Sequence, residues 1–118
     1  MRPYYEDLDI PQGADYRFQI QMYTGSGSRR DLSGVSEVRA KINYSYQASD
    51  SDSVSFFCTV DAPPTKGIIN CTLSDEQTEG LERRRYLYDV EMDYVSPKGY
   101  TVTERILEGK VIVDKGIT

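Results

Sequence analysis

Apolar side chains recur at every second position through most of this 118-residue chain. Successive side chains of a β-strand point to opposite faces, so strict alternation is the pattern of a strand with one dry and one wet face. Tyr16, Phe18, Ile20 and Met22 alternate with Arg17, Gln19 and Gln21. Val38, Ala40, Ile42, Tyr44 and Tyr46 alternate with polar residues that include Arg39, Lys41 and Asn43. Tyr86, Tyr88, Val90 and Met92 alternate with Leu87, Asp89 and Glu91 along a strand over residues 86–95. Shorter runs are Leu8 and Ile10, then Val54, Phe56, Cys58 and Val60, then Ile69, Cys71 and Leu73; a last run covers residues 100–113. Pro11-Gln12-Gly13, GSGSRRD (25–31), ASDSDS (48–53), DAPPTKG (61–67) and SPKG (96–99) supply turn residues between them. About seven antiparallel strands at this spacing predict an all-β sandwich.

Two places break the period. In LSDEQTEGL, Ser74 stands three residues before Gln77, the spacing of a capping box, and Gly80 closes the segment after two turns at most. One short helical turn is therefore expected between the Ile69 strand and the Tyr86 strand. In the final run Ile106 and Leu107 are both apolar, while Leu107, Val111 and Val113 share a face. A bulge near Arg105, or a strand that changes sheets, accounts for the slip. No repeat or linker divides the chain, so residues 1–118 read as one domain with a short N-terminal arm and a C-terminal tail after Val113.

Composition narrows the function. Fourteen Lys and Arg against nineteen Asp and Glu give a formal net charge of −5, a field that opposes nucleic acid. The densest basic run, Arg83 to Arg85, lies where a helical turn meets a strand, so its side chains diverge and read as a solvated corner or a protein contact. No apolar run is long enough for a membrane helix, and the acidic N-terminus lacks the apolar stretch of an export signal. The chain has no His and no G-x-S-x-G elbow, which removes the commonest general base and nucleophile arrangement. Asp89, Glu91 and Asp93 share a face at ordinary solvent-side spacing. No catalytic residue, metal ligand set or cofactor site is expected; Asp50 and Asp52 lack the rest of a calcium loop, and GSGSRR lacks the ending of a phosphate loop. Asn43 and Asn70 head glycan sequons that an unexported chain leaves unused. Pairing Val60 with Ile69 sets Cys58 opposite Cys71; without export, two reduced core thiols are expected rather than a disulfide.

Tyr86 follows the helical connection and opens a late strand, like the tyrosine corner of immunoglobulin-like sandwiches. Tyr86 or Tyr88 is expected to be structural, with its ring packed and its hydroxyl on a backbone partner.

Read in order, DIPQGADYRFQI (9–20), RDLSG (30–34), EVRAKI (37–42), GIINCTLSDEQTEGL (67–81), YLYDVEM (86–92) and ERILEGKVIVDKGIT (104–118) resemble a known family. It is the immunoglobulin-like β-sandwich domain of tailed-bacteriophage virion proteins, of the upper-baseplate N-terminal and long-tail-fibre collar type. Family members more often carry Gly just before the Tyr-x-Tyr-Asp strand, where this chain departs with Arg85. The resemblance implies a non-catalytic adaptor in the tail, at the collar, neck or baseplate. It implies assembly in the bacterial host cytoplasm into the virion, as a homo-oligomer in contact with tail tube, collar, fibre or capsid proteins. A capsid-surface decoration protein of the same fold is the alternative, and a cell-surface adhesion domain a more distant one. With no appended domain, contacts fall to the module's own edges. Tyr4 and Tyr5 on the arm, Arg29 and Arg30 on the GSGSRR tip, and Arg83 and Arg84 at the corner are the expected anchors, joined by the tail after Val113.

Overall fold

The computed structural model describes residues 4–45 and 53–116. Among these residues nine strands form two sheets: β1 (Tyr4–Tyr5), β2 (Leu8–Pro11), β3 (Tyr16–Gln21), β4 (Val35–Asn43), β5 (Val54–Ser55), β6 (Phe57–Val60), β7 (Ile68–Leu73), β8 (Arg85–Val95) and β9 (Thr101–Asp114). The larger sheet runs β1-β9-β8-β4-β5 with β2 also on β9, and the smaller runs β3-β7-β6. The alternating residues meet between them. Ile10, Ile42, Ile69, Val90, Met92 and Val111 are fully buried, and Leu32 and Leu81 from the connections close the core. The fold is an all-β sandwich.

The sandwich departs from the expected seven antiparallel strands in three ways. Tyr4–Tyr5 is an additional strand, and both β1 and β2 pair parallel with β9. The run 54–60 is two strands rather than one: Val54–Ser55 pairs with β4, and Phe57–Val60 pairs with β7 in the other sheet. The chain changes sheets at Phe56, whose N–H donates to the Ala40 carbonyl at 2.9 Å while its ring is buried. β4 ends at Asn43, so Tyr44 turns outward at 43% exposure instead of continuing the inward face. Tyr46, Asp50 and Asp52 lie outside the described residues.

The slip in the last strand is a bulge. Val90 pairs with Leu107 and Glu91 with Arg105, so Ile106 is the extra residue and both Ile106 and Leu107 are buried. The helical connection is α1 (Asp75–Glu79) with both capping-box bonds made: the Gln77 N–H to Ser74 Oγ at 3.2 Å and the Ser74 N–H to Gln77 Oε1 at 2.9 Å. Thr78 is the one buried polar residue among the described residues. Its hydroxyl donates to the Ala14 carbonyl at 2.8 Å and accepts from the Gly13 N–H at 3.0 Å, which fastens α1 to the β2–β3 turn.

Candidate interaction surface

The two sides of the sandwich differ in how the sheet edges are joined. At the β4–β5–β6 side, the crossing at Phe56 joins the sheets. On the opposite side β3 is the edge of the smaller sheet, and among the described residues no strand pairs with it there. The Met22 N–H bonds the Gly67 carbonyl at 2.7 Å, which fixes the alternation of the β3–β7 ladder. Counting back in twos, the backbone groups of Arg17, Gln19 and Gln21 point away from β7 toward the open edge.

The side chains carry the same asymmetry. On β7 the inward residues are sealed: Ile69 and Cys71 are 0% exposed and Leu73 is 2% exposed. Their partners on β3, Tyr16, Phe18 and Ile20, are only partly buried against the core. An unpaired ladder bordered by half-covered apolar groups is the geometry that accepts an added strand. Phe18 packs edge-on against Phe56 at 5.3 Å and Tyr88 at 6.3 Å, which ties the flank to the core.

β1 and β2 form the other lip of the flank. Tyr4 is 80% exposed and Tyr5 61% exposed, and they project from a strand anchored by the Glu6 N–H to the Glu108 carbonyl at 2.9 Å. Burial, and then the carboxylates of Asp9 and Glu6, raise the Tyr16 phenol above its ordinary value. Burial followed by Glu6 does the same for Tyr88. Glu6 and Asp9 thus place negative charge beside the tyrosine cluster, with Arg17 as the cation on the β3 edge itself, so a partner segment with a basic side chain on the Glu6–Asp9 side is complementary. Next to it, a shallow groove of about 410 Å³ crosses the outer face of the smaller sheet, lined by Tyr16, Arg17, Thr72, Phe57 and Gln77. Arg17, Thr72 and Phe57 stand in one cross-strand row, and Phe57 is 70% exposed.

The remaining expected anchors do not gather here. Arg83 and Arg84 are exposed at the start of β8, and Arg29 and Arg30 lie at its far end, roughly 30 Å away along the strand. Arg83 stacks on the Tyr44 ring at 4.4 Å, an aromatic–cation contact made between elements distant in sequence. The Arg84 carbonyl accepts from the Val113 N–H at 2.8 Å, while its side chain is exposed. Arg29 is exposed on the tip closed by its bridge to Tyr23. Arg30 is half-buried, paired with Glu104 at 3.3 Å and lying over the Tyr94 ring at 5.0 Å, so it braces the tip against β9. Among the described residues the exposed Tyr23 and Tyr100 add further aromatic surface; Tyr23 stands just past Met22 at the end of one alternating run and Tyr100 opens the last one, so both read as strand-end residues rather than as surface anchors.

Both structural tyrosines reach backbone partners. The Tyr86 hydroxyl accepts from the Arg83 N–H at 3.0 Å, three residues upstream. The Tyr88 hydroxyl donates to the Glu6 carbonyl at 2.6 Å, holding the β1–β2 corner across the sheet. The carboxylates of Asp89, Glu91 and Asp93 are bound in an ion-pair lattice on the outer face of the larger sheet. Arg39 contacts Asp93 at 2.6 Å and Glu91 at 3.6 Å, and Arg105 contacts Asp89 at 3.4 Å. The hydrogen bonds from Arg39 and Thr103 hold the Asp93 carboxyl at about 2. Burial pushes Asp89 the other way, above the usual carboxylate range.

No protein-family model matches the chain, and no curated protein matches it in sequence.

Proposed function

We propose that this chain is a non-catalytic structural adaptor of a tailed-bacteriophage virion, placed in the collar, neck or baseplate region and assembled through its open flank. The observation that carries the reading is the β3 edge, which no strand among the described residues covers, with Tyr16, Phe18 and Ile20 half-covered and the exposed Tyr4 and Tyr5 beside it. A neighbouring virion subunit that adds an extended, basic segment along Arg17, Gln19 and Gln21 satisfies the outward backbone groups and covers the apolar row. The ordered resemblance of DIPQGADYRFQI, GIINCTLSDEQTEGL and YLYDVEM to phage sandwich domains supports the virion setting. Exposed tyrosines are suited to the role because they bury large area at low entropic cost.

The experiment is imaging of purified virions that carry an affinity label on this chain. Label at the tail top or baseplate is the expected result. Label spread over the shell turns the reading into a capsid decoration protein, and virions without label overturn both.

A further inference from the structure

Cys58 on β6 and Cys71 on β7 stand directly opposite each other in the antiparallel ladder. The Asp61 N–H donates to the Ile68 carbonyl at 2.8 Å, which makes Asp61 and Ile68 a hydrogen-bonded pair. Alternation along the ladder then makes Thr59 and Asn70 hydrogen-bonded as well, and leaves Cys58 and Cys71 a non-hydrogen-bonded pair. Such pairs hold their Cα atoms about 4.5 Å apart, inside the range of roughly 4.4–6.8 Å that a disulfide spans. Both thiols are free, and their sulfurs lie 3.7 Å apart. Rotation of the side chains is sufficient to close that gap; the strands need not separate.

We propose that Cys58 and Cys71 are a dithiol modification site, which exchanges with small disulfides and closes into a cross-strand disulfide. The order of events follows from the environment of each sulfur. Cys71 is 0% exposed, whereas Cys58 is only partly buried on the edge strand. The Cys71 thiol bonded to Cys58 favours ionisation at Cys58, while the same contact and burial keep Cys71 protonated. Cys58 thiolate attacks one sulfur of the small disulfide, forming a mixed disulfide and releasing one thiolate. Cys71 then gives up its proton to that released thiolate or to solvent, and attacks the Cys58 sulfur. The second thiolate leaves. Two electrons pass from the protein to the small disulfide, which ends as two thiols.

The bond fastens β6, a four-residue strand that has just changed sheets at Phe56, to the central strand β7. Oxidation therefore locks the joined side of the sandwich and leaves the β3 flank unaltered. The inference does not depend on the virion reading, because it rests on the two thiols alone.

The test is incubation of the reduced full chain with oxidised glutathione, followed by intact mass and tryptic mapping. Lys66 lies between the two cysteines, so trypsin leaves a cross-linked peptide pair as the direct readout. The expected product is a monomer lighter by about 2 Da, with Cys58 joined to Cys71. Persistent glutathione adducts, intermolecular dimers or unreacted thiols overturn the proposal. Cys71→Ser leaves Cys58 to accumulate the mixed disulfide quickly. In Cys58→Ser the folded chain reacts at Cys71 on the order of tenfold more slowly or less. Equal rates at the two sulfurs contradict the assigned order of attack.

Discussion

Gly109 is the position where the smallest added group has the largest expected effect. It pairs with Tyr88 across β8 and β9, and the missing side chain leaves the space through which the Glu6 carbonyl reaches the Tyr88 hydroxyl. A Cβ at residue 109 overlaps the Glu6 carbonyl oxygen and lies 2.7 Å from its carbon and 3.1 Å from Tyr88 Cε1. The obstacle is backbone, so Gly109→Ala forces the β1–β2 corner off β9. Overpacking of this kind costs about 1–3 kcal/mol. Losing the bond of a buried hydroxyl adds about 1–3 kcal/mol when the group is left unsatisfied. Gly109→Ala is therefore expected to destabilise by about 2–6 kcal/mol. Tyr88→Phe removes only the hydroxyl and is expected to cost about 0.5–1.5 kcal/mol. In the Tyr88→Phe background the bond is already gone, so Gly109→Ala should cost about 1 kcal/mol less than it does alone. Urea unfolding of the four proteins, followed by circular dichroism, measures the cycle. Additive costs, or a Gly109→Ala change under about 0.5 kcal/mol, refute the packing argument.

Tyr88→Ala should cost about 3–5 kcal/mol as a buried aromatic deletion, whereas Arg84→Ala should stay within about 0.5 kcal/mol; thermal melts of both variants check the contrast. Asp93 has a folded pKa of about 2, below the unfolded value near 4, so its contribution to stability is complete above about pH 4 and disappears as pH falls toward 2. Asp93→Asn should remove that part of the acid sensitivity, and a carboxyl titration by NMR that finds Asp93 near 4 would contradict it. Ser74→Ala breaks one half of the capping box and should cost about 1 kcal/mol in a denaturant melt.

The strands that carry long alternation were legible, because one buried face dictates their side-chain period whatever they pair with. β3, β4, β8 and β9 follow from that alone, and the adjacent Ile106 and Leu107 marked the bulge because two neighbouring inward residues cannot occur in a regular ladder. The break at Phe56 was hidden for the complementary reason. Val54, Phe56, Cys58 and Val60 keep facing the same interior while the backbone passes from one sheet to the other, so the period runs on undisturbed. Tyr4–Tyr5 has no alternation to read, and its parallel pairing with Leu107 and Glu108 joins the two ends of the chain through backbone bonds that leave no residue pattern.

For the site, the exposed tyrosines and arginines were visible as residue types but not as a surface. Arg30 looked free in GSGSRR, yet Glu104 and Tyr94 come to it from another part of the sequence. The β3 edge was invisible for the same reason, since openness depends on which strand is absent from the neighbouring position rather than on the strand itself. Tyr88 could be singled out in advance because a hydroxyl at an inward strand position needs a partner, although nothing local identified that partner as Glu6.

Gln19→Pro bears most directly on the claim that the chain works through its open flank. The Gln19 N–H faces away from β7, so proline there blocks an added strand without removing a bond of the existing ladder. Virions assembled with wild-type or Gln19→Pro protein, each confirmed folded, would be purified and their content of this chain quantified by mass spectrometry. The account predicts wild-type protein at a fixed copy number per particle and the variant depleted at least about tenfold, the loss expected when edge pairing costs about 1.4 kcal/mol or more. Incorporation of the variant at the wild-type level would contradict the flank as the docking edge, and absence of the wild-type chain from particles would contradict the virion role itself.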